Sequence, residues 1–285
     1  MSLHENESPA PDNLPSVEGP DAPEFPAPAP PEYPEDLRAP WGWLDLLLLA
    51  LFAVGAIFVL GSTLAAAFSV FGVPLAQLRQ STSDLSLFNI VLTVLLYFAL
   101  LGYLAAQIHW GFHAPFWRTI GWRALEPGVL RRVQVFSCCA GGIGLAMATQ
   151  FASGLIPTKA KMPIEEFLAN RLSATLLMLI AVLVAPLVEE TIFRGYIYPV
   201  VARRFGVGAA VGAVGTLFGM FHAMQLGGVW GQVALLIVVG LVLTYVRATT
   251  RTVLASYLVH VSYNATVSFG FLVATHGLKV LPGAH

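Results

Sequence analysis

From about Trp43 onward the chain is a series of long apolar runs separated by short polar breaks. An α-helix needs roughly 20 predominantly apolar residues to cross a bilayer. Seven runs meet that length, at about 43–70, 86–109, 132–155, 173–200, 207–225, 229–247 and 252–275. They predict an all-α fold, a polytopic transmembrane helix bundle of about seven to eight spanning helices. Trp41, Trp43, Trp110, Trp117 and Trp122 sit near the predicted ends, as interfacial aromatics do. Two stretches between runs, 113–128 and 162–172, look amphipathic and read either as helices lying on the membrane surface or as plain polar loops. Residues 1–40 break the pattern. They hold eleven prolines and few apolar residues, which predicts a disordered tail. The tail lacks the basic start and apolar core of a cleavable signal peptide, so the first run would act as an uncleaved anchor.

Composition agrees with the pattern. Only 11% of the 285 residues are charged, against roughly 25% in soluble domains, too few to coat a water-facing surface. The net charge of −1 conceals an asymmetry: −8 over residues 1–40 and +7 over the rest. With seven spans, nine arginines fall at the end that includes the tail and five basic residues at the other. The positive-inside rule then places the tail in the cytoplasm, with the chain an integral multi-pass protein of the plasma (inner) membrane. Cys138 and Cys139 are adjacent in an apolar run, where helical neighbours cannot easily bridge, and read as packing residues. No CxxC or HExxH spacing is present.

The informative residues are polar ones inside apolar runs. The fourth run reads LLMLIAVLVAPLVEETIFRGYIYPV and buries Glu189, Glu190 and Arg194. One ionisable group at a helix centre costs about 2.5–3.5 kcal/mol on insertion scales, so three need a reason. Glu190 and Arg194 are four apart, share a face and can pair. Glu189 points about 100° away and stays available. A carboxylate in an apolar site can serve as a general base. Pro186 removes a backbone donor just before the pair and should loosen the helix. The fifth run carries Gly208/Gly212 and Gly215/Gly219, small pairs that permit close helix approach, with His222 on the face of Gly215, Phe218 and Gly219. In the seventh run His260 and Asn264 share a face. Taken singly, the ion pair and the polar residues are equally explained by helix–helix stapling. Depth supports the cluster. Glu189 lies 16 residues before Phe205 and His222 lies 17 after it, so both sit roughly 25 Å from the turn between their helices. His260 is roughly 15 Å from its own turn, level with them only if the fourth helix stands proud of the membrane or tilts.

Three motifs carry a resemblance. Glu189 to Arg194 (EETIFR) fits E-E-x-x-x-R, Phe218 to His222 (FGMFH) fits F-x-x-x-H, and His260 to Asn264 (HVSYN) fits H-x-x-x-N. Together, over about residues 115–275, they resemble the CPBP (type II CAAX prenyl protease, or Abi) family of intramembrane proteases. That resemblance divides the chain into the tail (1–40), N-terminal transmembrane helices (41–112), a protease-like core (113–276) and a short C-terminal tail (277–285). It implies an endopeptidase acting on a membrane-associated, prenylated or peptide substrate. Glu189 would activate water with help from His222. His260 and Asn264 would stabilise the oxyanion, and Glu190 and Arg194 would orient the site. It also leaves metal dependence open: a Zn²⁺, if present, would be held by Glu189, His222 and His260, although the strong zinc spacings are missing. The expected partners are the lipid bilayer and a membrane-associated protein or peptide, with no nucleic acid. A proton- or ion-coupled transporter, or an inactive scaffold of the same family, are the alternatives.

Overall fold

The computed structural model describes residues 33–281, except Arg79, Glu126, residues 157–162 and Ala169 and the side chains of Leu75, Thr82 and Glu166. Most of the tail expected to be disordered, and the C-terminal residues 282–285, lie outside the described residues. The chain is an all-α bundle, and the described residues contain no strand. Among the described residues six helices are long and apolar enough to cross a membrane: α1 (Trp43–Val70), α2 (Ser83–Gly111), α3 (Val129–Gly154), α4 (Arg171–Phe205), α6 (Trp230–Thr250) and α7 (Val253–Ala274). Helix α1 exposes Leu44, Leu47, Leu51 and Phe58, an apolar face that only lipid would solvate.

The fifth expected span is shorter than its apolar run. Helix α5 (Val207–Phe221) has 15 residues, about 22 Å of helix against a hydrocarbon core of about 30 Å. It stops because the chain turns at His222 and continues as turns to Val229. The α4–α5 turn falls at Gly206, whose φ of 85° suits glycine. Helices α5 and α6 then approach closely. A Cβ added at Gly240 would lie 2.3 Å from the Gly215 carbonyl, and those at Gly215 and Gly219 would strike Leu241 and Ile237. Only the second expected glycine pair works this way, since Gly208 and Gly212 meet nothing within 4 Å.

Residues 33–40, expected to belong to the disordered tail, are packed instead. Asp36 pairs with the buried Arg247 at 3.0 Å, and Arg203 donates to the Ala39 and Trp41 carbonyls. Leu37 and Trp41 are buried, and the Trp41 indole donates to the Tyr196 carbonyl at 2.8 Å. The local reason is that the last acids and apolar residues of the segment find three arginine and aromatic partners at one end of the bundle. That end also holds the Thr252 N-cap of α7, bonded to Arg123. The opposite end gathers residues 163–168, 170–171, 222–229 and 275–281, tied by Ile164 N–H to Gln225 O (3.1 Å) and Arg171 Nε to Leu278 O (2.9 Å). The two amphipathic stretches do not simply lie outside. Ile120 is buried against α4, where Gly195 leaves room for its carbonyl, and Trp122 donates to Thr191 at 3.0 Å. The short helix Pro163–Phe167 contributes to the wall of a central cavity.

Candidate active site

Helix α4 is irregular where the charges lie. Residues Ile180–Val184 and Thr191–Ile197 are π-helical, flanking a regular segment Ala185–Glu190. In the first π stretch the Ala185 N–H bonds back to Ile180 O, five residues away. The same register would ask residue 186 to bond Ala181 O, but Pro186 has no N–H. Asn264 Nδ2 fills the vacancy, donating to Ala181 O at 2.7 Å. The loosening expected from Pro186 is therefore present, and Asn264 caps it across the interface with α7. π-Bulges of this kind are concentrated at functional sites.

The ion pair forms as its spacing predicts. Arg194 Nη1 meets Glu190 Oε1 at 2.9 Å, with both side chains fully buried. Arg194 also donates to Gly240 O (2.9 Å) and Thr244 Oγ1 (3.3 Å) on α6. Its guanidinium lies 4.6 Å from the Phe218 ring centroid on α5. Desolvating two charges is expensive and is tolerated only with such satisfaction of the remaining donors. Gly240 serves twice, admitting α5 and giving Arg194 a carbonyl. Neither Gly240, Thr244 nor the cation–π contact was anticipated from the motifs.

His260 lies between the two carboxylates and bonds one of them. Its Nδ1 is 2.9 Å from Glu190 Oε1, so that nitrogen carries the proton, and its Nε2 is 3.7 Å from Glu189 Oε2. The depth left open by turn counting is resolved: His260 is level with the glutamates. Glu189 keeps 15% side-chain exposure where Glu190 has none, and it faces a cavity of about 470 Å³. Tyr97, on α2, donates its hydroxyl to Glu189 Oε1 at 3.0 Å. Sequence reasoning missed this residue. Its signal was a polar stripe in an apolar helix, Asn89, Thr93 and Tyr97, at four-residue steps.

Glu189, His222, His260 and Asn264 all line the cavity, whose other walls are largely apolar. His222 sits at the C-cap of α5 with Nδ1 2.8 Å from Phe218 O. It shares the cavity with Glu189 but makes no hydrogen bond to it among the described residues. Among those residues no three His, Cys, Asp or Glu side chains converge as a metal ion requires. Glu189, His222 and His260 do not form such a group in this arrangement.

The fold defines an integral membrane protein with a polar site enclosed by apolar helices. Residues 171–266, about a third of the chain, match the family described as Type II CAAX prenyl endopeptidase Rce1-like. That match supports the resemblance to the CPBP family, and all six motif residues fall inside the matched segment. What the segment matches, at the level of the family, is a CAAX-type endopeptidase domain. No curated protein and no solved structure matches the chain.

Proposed function

We propose that the protein is an intramembrane endopeptidase in which Glu189 activates water for attack on a peptide bond. One observation carries this reading. Of two adjacent membrane-embedded carboxylates, Glu190 is neutralised by Arg194, while Glu189 faces the cavity with no arginine or lysine bound to it among the described residues. Amide hydrolysis needs a positioned base, donors for the oxyanion and restricted water. Glu189 takes the proton from water, and the resulting hydroxide adds to the carbonyl carbon. The oxyanion is met by the Asn264 N–H not used on Ala181 and by the Nε2 side of His260 when protonated. Glu190 and Arg194 fix the His260 ring. As the C–N bond breaks, Glu189 delivers the proton it took from water to the departing amine, and His222, on the same wall, assists Glu189.

The largely apolar cavity suits a membrane-associated peptide or a prenylated protein terminus. The distribution of arginines supports an N-terminal end on the cytoplasmic side of the membrane. The test is a purified preparation in detergent acting on a fluorogenic, membrane-anchored peptide. Wild type is expected to cleave it and His222→Ala to be slowed by about 100-fold or more. A His222→Ala variant with full activity would remove that residue from the mechanism.

A further inference from the structure

The matched domain spans residues 171–266, yet the side chain that holds its outward-facing glutamate lies outside it, on α2. We infer that Tyr97 is a positioning residue for the reaction, its hydroxyl fixing Glu189 so that the other carboxylate oxygen meets the attacking water. The inference rests on the hydrolytic reading above and adds α2 to the machinery.

The two glutamates are held by different partners. Glu190 is clamped by Arg194 and His260 at 2.9 Å each. Glu189 has neither contact at hydrogen-bond distance: its approach to His260 Nε2 is 3.7 Å. Among the described residues Tyr97 is its hydrogen-bond donor, at 3.0 Å to Oε1. A carboxylate on a flexible side chain, facing an open cavity with one partner, owes its orientation to that partner. The Tyr97 bond commits Oε1 and leaves Oε2, the oxygen nearer His260, toward the reaction space. Tyr97 and Glu189 both line the cavity, so the bond lies at its wall. It joins α2 to the regular segment of α4 between the two π stretches. A base displaced by about 1 Å can lose on the order of 100-fold in rate.

Tyr97→Phe removes the hydroxyl and keeps the ring. In the anchored-peptide assay kcat is expected to fall about 10- to 100-fold, as for loss of a hydrogen bond to a charged group, with KM within about twofold. A purely structural role would instead lower the melting temperature and the active fraction without this split. A second readout needs no substrate. The infrared carboxylate band that vanishes in Glu189→Gln should shift in Tyr97→Phe, because a donor to that carboxylate is gone. A Tyr97→Phe enzyme with wild-type kcat, or an unmoved band, overturns the inference. Should Glu189→Gln retain full activity, it is the hydrolytic reading that fails. Should Glu189→Gln be inactive while Tyr97→Phe is normal, the failure belongs to the Tyr97 inference alone.

Discussion

Replacing Arg194 with methionine probes the centre of the bundle. The substitution keeps much of the side-chain length and removes a guanidinium that is fully buried and bonded to Glu190, Gly240 and Thr244. Glu190 then remains at 0% exposure with only His260 at its Oε1. Removing one partner of a buried pair leaves an uncompensated charge and costs about 3–5 kcal/mol. For a chain of this size that lowers the melting midpoint by about 6–20 °C. The double variant Glu190→Gln/Arg194→Met removes the stranded charge, and the amide oxygen that replaces the carboxylate can still accept from His260, so most of the lost stability should return. Hydrolysis should not return with it, because the Glu190–Arg194 ion pair that fixes the site is gone. The assay is thermal or SDS-induced unfolding in mixed micelles, run beside peptide cleavage. If Arg194→Met unfolds within about 1 kcal/mol of wild type, the buried-pair argument is wrong. If the double variant regains activity along with stability, the pair is a staple with no part in orienting the site.

Three further outcomes follow from local geometry. Gly240→Ala should destabilise by about 1–3 kcal/mol, since its Cβ would meet the Gly215 carbonyl at 2.3 Å, whereas Gly212→Ala, with nothing within 4 Å, should be neutral or slightly stabilising by the same unfolding assay. Asn264→Leu strips the donor from Ala181 O and should cost about 1 kcal/mol in SDS unfolding while lowering cleavage much more than that stability loss explains. Asp36→Asn should leave Arg247 buried without its counter-ion and destabilise by about 3 kcal/mol, with hydrogen exchange rising at residues 35–41 while the Glu190–Arg194 region stays protected.

The features legible in the sequence are those set by one helix at a time. Apolar run length gave six of the helices nearly to their ends, and the four-residue step placed Arg194 on Glu190. Pro186 announced an irregular helix, and Glu189 emerged as the carboxylate left over. What escaped depends on pairs of helices. That Asn264 answers the carbonyl stranded by Pro186 requires knowing how α7 packs on α4. Thr244 and Gly240 look like ordinary residues of an apolar helix until Arg194 reaches them. Tyr97 is 92 residues from Glu189, and no local rule couples them. The end of the acidic tail misled for a similar reason: residues 33–40 have the composition of a disordered segment, and their order comes from Arg203 and Arg247 far along the chain.

The central claim is that two adjacent carboxylates have divided roles, Glu189 as base and Glu190 as support. The direct measurement is single-turnover cleavage of the anchored peptide by Glu189→Gln and Glu190→Gln, each compared with wild type and with its own unfolding midpoint. Glu189→Gln should fold like wild type and lose at least about 100-fold in the chemical step, while Glu190→Gln should lose stability as well as rate. Cleavage by Glu189→Gln at the wild-type rate would contradict the claim.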